Sequence, residues 1–439
     1  MRSFPARTAA LMSAVLAVAA VSGCGSSSKT ADSSSPSSST SSTSSSAAAM
    51  SNAASSALGP DSSAMSSGAS ISSTSPGGSA MDSSAAGGGD VNLKGVCPDT
   101  VSLLTDWNPE SEHGGLYELL GPNPKIDADK KRVSGPLVAH GGKDTGITFE
   151  VRSGGPAIGF QTVTSQLYSD PTLTMGYANT DEAIQLSAKQ PTTAVFAPLE
   201  KNPQMIMWDP ATYPDVKTIA DLKTKNVKVR YFNGAAYMAY LTGQGVLDQG
   251  QTDGSYDGTP ANFVAAGGKD AQQGFASAEP YIYENEITAW KKPIAFQLIH
   301  DAGYPIYAAA YSVRSADLAK MTPCLKKLVP LFQQAQVDYM ATPGPANDLI
   351  LKLVDAYNTG WQYTKGVADF SVKQQIKLGL VSNGDNKTLG DFDTARLQKL
   401  LDIDTPIFTK QGTPPAAGLT PQKLATNEFL DPSIGLPAS

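Results

Sequence analysis

The stretch TVSLLTDWNPESEHGGLYELLG, residues 100–121, decides the fold. Its first residues set Val101, Leu103 and Leu104 against Ser102 and Thr105, the pattern of a buried strand. Asp106-Trp107-Asn108-Pro109 then breaks the run, because a proline excludes helical geometry from the residue before it. Leu116, Leu119 and Leu120 recur at helical spacing, and Gly121-Pro122 stops them. The unit is strand, aromatic polar loop, helix. In open α/β sheets ligands bind at such junctions, where the strand's carboxyl end meets the helix amino terminus. Trp107 and Asn108 sit in that loop, Trp107 placed either to stack on a ligand ring or to pack as a lid. His113, at the helix start, either hydrogen-bonds a ligand or caps the helix.

The same alternation returns downstream. Residues 146–152 (GITFEVR) and 173–177 (LTMGY) read as further strands, each followed by a helix, which predicts a parallel sheet flanked by helices. Their carboxyl ends send loops to one edge, so Tyr177 and Asn179 are candidates to face a ligand; for Asn179 a helix cap is the alternative. Residues 192–198 and 204–208 read as a strand pair around a hairpin or crossing segment. Near residue 210 the pattern restarts. Strand 227–232 breaks at Asn233-Gly234 into a helix, which predicts a second lobe with Asn233 and the amides after it as polar ligand groups. Residues 248–274 are rich in Gly and Asp, yet Asp253 and Asp257 lack the spacing and closing Glu of a calcium loop. A short helix is expected over 271–276. Glu279, Tyr281 and Tyr283 then place one carboxylate and two phenols in one short segment. Strands at 296–299 and 307–313 lead back to the first lobe, and helices follow over 325–340, 347–357 and 372–380.

Ahead of this lies different material. Arg2 and Arg7 precede an apolar run, residues 9–21, too short for a stable membrane span, and Val21-Ser22-Gly23-Cys24 closes it. Residues 1–23 therefore read as an export signal, and the last four resemble the lipobox of bacterial lipoproteins, which makes Cys24 the lipidated first residue and a membrane anchor. Residues 24–90 are almost wholly Ser, Ala, Gly and Thr, unable to bury enough apolar surface to offset ordering entropy: a flexible tether. Removing Arg2 and Arg7 from 33 basic side chains leaves 31 against 40 acidic ones, a balance that disfavours nucleic acid as a partner. Of the three cysteines, Cys97 and Cys324 remain after lipidation, and in an exported chain two leftover cysteines are expected to pair.

The pattern Trp107, Asn108, Pro109, His113, Gly115, Leu116, Tyr117 resembles the first motif of substrate-binding proteins of the thiamine-pyrimidine-precursor group, whose relatives include sulfonate- and nitrate-binding lipoproteins of ABC importers. Weaker similarity runs through residues 177–179 and 279–280 to Asn427-Glu428-Phe429-Leu430-Asp431, over roughly residues 98–435. The resemblance implies a type II periplasmic-binding-protein fold of two α/β lobes with the ligand between them. Residues 91–439 would form the substrate-binding domain, with lobe 1 over about 98–200 plus 310–439 and lobe 2 over about 210–305. It implies a monomeric extracytoplasmic protein that captures a ring-containing nutrient, such as a thiamine pyrimidine precursor, and delivers it to an ABC permease with its ATPase. Trp107 and Tyr177 or Tyr281 would sandwich the ring; Asn108, Asn233 and Glu279 would read its edge. Binding of a sulfonate or other small anion is the alternative, with Arg152 and Arg230 the nearest arginines, and a sensor lipoprotein that presents its ligand is another. The related pyrimidine synthases carry a cysteine-rich motif that this chain lacks. His113, His140 and His300 have no metal-ligand spacing, and no G-x-S-x-G occurs. No catalytic residues, metal or cofactor are expected.

Overall fold

A computed structural model describes residues 91–437. The export signal, Cys24 and the tether read from the sequence lie outside them. Twelve strands form two sheets: β1 (Thr100–Leu104), β2 (Lys125–Asp127), β3 (Arg132–Ala139), β4 (Lys143–Arg152), β5 (Met175–Ala178), β6 (Thr192–Phe196), β7 (Gln204–Trp208), β8 (Val229–Arg230), β9 (Thr252–Asp253), β10 (Ala271–Phe275), β11 (Ala295–Leu298) and β12 (Ala310–Arg314).

The first sheet has the order β2-β3-β4-β1-β5-β12-β6, and the second β11-β7-β10-β8-β9. β1 lies parallel between β4 and β5, the parallel arrangement expected from three strand–helix units. The sheet as a whole is mixed, because β3 runs antiparallel to β4, and β12 runs antiparallel to β5 and β6. The strands expected at 192–198 and 204–208 do not pair: β6 belongs to the first sheet and β7 to the second, so residues 197–203 are a crossing between lobes. Residues 299–309, between β11 and β12, cross back.

The helix expected over 271–276 is a strand. Ala271, Gln272, Gln273 and Gly274 are buried, and β10 is held between β7 and β8 on both edges. Tertiary pairing overrides a composition poor in β-branched residues.

Long helices cover the first sheet. Leu318–Ala341 lays Leu325, Leu328, Val329 and Phe332 onto Phe149, Tyr311 and Val313. Cys324 falls in its second turn and is joined to Cys97, 227 residues earlier. Gly114 opens the helix Gly114–Glu118 where it crosses this long helix; a Cβ there would lie 2.0 Å from the Tyr339 ring. Helix Thr394–Lys410, which the sequence reading did not anticipate, packs Leu400, Leu401 and Phe408 among second-lobe residues Trp208, Tyr237 and Leu241. It also touches the first-lobe helix Thr180–Leu186, so one helix spans both lobes beside the crossings.

Candidate functional site

The loop after β1 is held from several sides. Thr105 Oγ1 donates to the Trp107 carbonyl at 2.8 Å, and Thr359 Oγ1 donates to Asn108 Oδ1 at 2.9 Å. The Ser111 amide donates to the Tyr363 hydroxyl at 2.9 Å, while Gln375 Nε2 donates to the Ser111 carbonyl at 3.2 Å. Partners 250 residues away thus fix the turn that carries Asp106, Glu110, Glu112 and His113.

A cavity of about 80 Å³ opens where this turn meets the two crossings. Asp106, Glu112, His113 and Asn179 come to it from the first lobe, Gln204 and Phe275 from the second; Asn202, Ala308 and Ala309 of the crossings close it. The Ser277 hydroxyl, from the second lobe, donates to a Glu112 carboxylate oxygen across the gap.

His113 is buried, 2 % exposed, with Nε2 3.0 Å from Asp106 Oδ1 and 3.7 Å from Glu110 Oε1. Its Nδ1 has no hydrogen-bond partner. The ring stands edge-on to Tyr177 at 5.3 Å. It occupies the helix N-cap position without a side-chain capping bond.

The electrostatics are those of crowded acids. Burial, followed by the charges of Glu112 and Asp106, pushes the Glu110 carboxyl well above the usual carboxylate range. Burial raises Glu112 as well, against the Ser277 hydrogen bond and the charge of His113. Both causes favour the protonated form of Glu110. Glu279 is pushed up to about 7 by burial, with a further push from Glu112. Glu182 is likewise raised to about 7 by burial. Among the described residues, none lining the cavity is Lys or Arg. No group of His, Cys, Asp and Glu among the described residues is arranged to hold a metal ion.

The residues singled out in the sequence separate into two groups. His113 and Asn179 line the cavity. Asn179 uses Oδ1 to accept the Ala309 amide at 2.9 Å, fixing a crossing residue at φ +53° rather than capping its own helix. The others lie elsewhere. Trp107 is half-buried among Phe160, at 6.0 Å, and Trp361, at 6.1 Å and edge-on. Its ring lies against Gly155, where a Cβ would come within 2.5 Å of it at φ +54°. Asn108 is buried on Thr359. Tyr177 is buried in a stack with Tyr311, its hydroxyl donating to that of Tyr311 at 2.9 Å, so it packs the core instead of facing solvent. Asn233 is exposed and beside Gly254. Glu279 accepts the amide of Phe275, the last residue of β10, at 2.9 Å, and Tyr281 packs on Phe370 at 5.6 Å. Asp106, Gln204, Phe275 and Ser277 were not anticipated as site residues, since only the packing of the two lobes brings them together. Arg152 is tied to Glu150 and Asp170, and Arg230 to Asp253 and Asp270.

Two α/β lobes, joined by two crossings and enclosing a cleft between them, constitute the type II periplasmic-binding-protein fold. No family model and no curated protein matches the chain. Solved structures do. The periplasmic sulfonate-binding protein SsuA of a sulfonate ABC transporter from Methylobacillus flagellatus KT is 13 % identical, with a TM-score of 0.47 over 75 % of this chain and 92 % of that one. An ABC transporter structure from Parabacteroides distasonis is 11 % identical, TM-score 0.43, over 73 % and 98 %. The desulfurization enzyme DszB is 13 % identical, TM-score 0.41, over 76 % and 97 %. At such distances, what those proteins bind or catalyse stays a property of those proteins. No helix among the described residues is long and apolar enough to cross a membrane.

Proposed function

We propose that this chain is an extracytoplasmic solute-binding lipoprotein that captures a small nutrient between its lobes and hands it to an ABC permease with its ATPase. The observation that carries this reading is the cavity at the crossings, walled by both lobes and bridged by Ser277 and Glu112. Lobes hinged on two crossings bury a ligand by closing on it, and the buried polar groups of the wall set its selectivity. The Cys24 lipobox and the tether after it fit a protein held at the outer face of a membrane, working as a monomer beside its importer.

A cavity of about 80 Å³ is smaller than the roughly 150 Å³ that accepts benzene in an engineered protein core. A ring-containing nutrient, a thiamine pyrimidine precursor included, needs the lobes further apart than they stand here. With Trp107 away from the cavity, any ring would rest on Phe275 or edge-on against His113 instead.

The test is a thermal-shift screen of the full chain against pyrimidine precursors, amino acids, amines, sulfonates and nitrate. A ligand at a hundredfold its dissociation constant stabilises by about 2.7 kcal/mol, a readily measured shift. A hit that weakens in Glu112→Gln supports the reading. A hit indifferent to Glu112, His113 and Ser277 moves the site out of the cleft.

A further inference from the structure

We infer that one proton, shared between Asp181 of the first lobe and Asp404 of the helix spanning both lobes, latches the second crossing, and that losing it frees the crossing. The inference goes beyond the solute-binding reading, and its test needs no ligand.

Three successive residues at the start of helix Thr180–Leu186 grip the crossing. Asn179 Oδ1 accepts the Ala309 amide at 2.9 Å, and Thr180 Oγ1 accepts the Tyr307 amide at 3.0 Å. Asp181 Oδ2 lies 3.3 Å from the Tyr304 hydroxyl. Helix Thr394–Lys410 holds the same stretch from its other side. There Asp404 Oδ1 accepts from the Tyr304 hydroxyl at 2.8 Å, and Arg396 donates to the carbonyls of Pro305 and Ile306. Tyr304 is buried, so both carboxyls meet its hydroxyl away from bulk water.

A single hydroxyl proton cannot serve two carboxylates at once. Asp181 has further support, its Oδ1 accepting the Glu182 amide at 2.9 Å. Asp404 has none. The residue is 0 % exposed, and its Oδ2 is buried without a hydrogen-bond partner. Ionised, Asp404 would keep a bare oxygen beside a like charge; a retained proton removes that charge and makes a donor of the oxygen.

No positive group stands ready to replace the proton. Asp181 is the charge that bears on Asp404, and Tyr304 is its hydrogen-bond partner. Arg396, on the same helix, is paired with Glu200 at 2.9 Å. Lys423, on the neighbouring helix Pro421–Leu424, donates to the Gly418 carbonyl. Tyr240, from helix Ala236–Gly243, packs its ring against Tyr304. Burial, followed by the charge of Asp181, accordingly pushes Asp404 up to about 8, and burial raises Asp181 as well.

The sign of the effect follows from linkage. The latched crossing keeps the proton; an opened one, with both carboxyls in water, releases it. Opening is therefore favoured as pH rises from 3.8, the ordinary aspartate value, toward about 8, by up to about tenfold per pH unit, and levels off above. Ala308 and Ala309, at the end of the crossing, line the cleft cavity, so a pair that does not line it acts on its wall.

The experiment is amide hydrogen exchange of the full chain without ligand at pH 5 and pH 8, each rate taken relative to intrinsic exchange at that pH. Residues 302–309 report on the crossing, and β1, in the core of the first sheet, reports on global unfolding. The expected result is that protection of 302–309 falls between pH 5 and pH 8 by at least about tenfold more than that of β1. In Asp404→Asn, neutral at every pH and able to donate through its amide, the two segments should change alike. Circular dichroism checks that this variant folds, and Asp181→Asn is read in the same way if it does not. Segments that change alike in the parent overturn the inference. An excess fall that persists in the variant overturns it too.

Discussion

Ser277 of the second lobe donates a hydrogen bond to Glu112 of the first, and this contact closes one side of the cleft. A neutral donor on a buried carboxylate is worth about 1.5–3 kcal/mol in a closed protein and nothing once the lobes part. Ser277→Ala should therefore weaken binding of any cleft ligand roughly tenfold, with a faster off-rate and little change in on-rate. Stopped-flow or surface-plasmon measurements on a ligand from the screen read both rates. Unchanged kinetics would assign the bridge to packing alone.

The raised carboxyls set a direction for the pH dependence of stability. Glu279 titrates near 7 in the folded chain against an ordinary value of 4.5, and Asp404 near 8 against 3.8, burial being the main cause of both. A carboxyl whose folded value is raised stabilises the fold while protonated, and that stability falls as pH rises from the unfolded toward the folded value. The melting temperature should decline between about pH 4.5 and 8. Asp404, wholly buried with Oδ1 accepting from Tyr304 at 2.8 Å, is the clearer test. Asp404→Asn should be more stable than the parent at pH 8 by about 1–3 kcal/mol, with the difference shrinking toward pH 5. Glu279→Gln should do the same by a smaller amount.

The Cys97–Cys324 disulfide ties the entrance of the first strand to the long helix that covers its sheet. A cross-link closing so long a loop limits the unfolded chain strongly, so Cys97→Ala with Cys324→Ala should cost about 2–5 kcal/mol in denaturant unfolding. Cleft affinity should hold, because neither cysteine lines the cavity.

Much of the architecture is written locally. The alternation of residues 100–105, the break at Pro109 and the leucines after it predict β1, its loop and its helix, and all three are present. The pairing of two leftover cysteines is a matter of count and compartment, and it too is present. The hairpin of β3 and β4 was hidden by Gly135 and Pro136 within β3, tolerated because the register shifts between Pro136 and Val138. The site was harder to read. A tryptophan in a loop after a strand carries no sign that Trp361, more than 250 residues on, will pack against it. Nor does Ser277 or Gln204 announce that the crossings will set it beside the turn that carries His113.

Gly155 offers a way to disturb the aromatic cluster alone. Its φ of +54° and the Trp107 ring 2.5 Å from any added Cβ make Gly155→Ala destabilising by about 1–3 kcal/mol, measured by chemical denaturation. Ligand affinity should stay within about threefold of the parent, since Trp107 does not line the cavity.

On the proposed function the ligand binds in the cavity at the crossings, with His113 in its wall, and not on the aromatic cluster around Trp107. Calorimetric titration of one stabilising ligand into the parent chain, His113→Gln and Trp107→Ala tests it most directly. Binding should be at least about tenfold weaker in His113→Gln and within about threefold of the parent in Trp107→Ala. The reverse order, with binding lost in Trp107→Ala and kept in His113→Gln, would contradict it and place the ligand on the aromatic cluster.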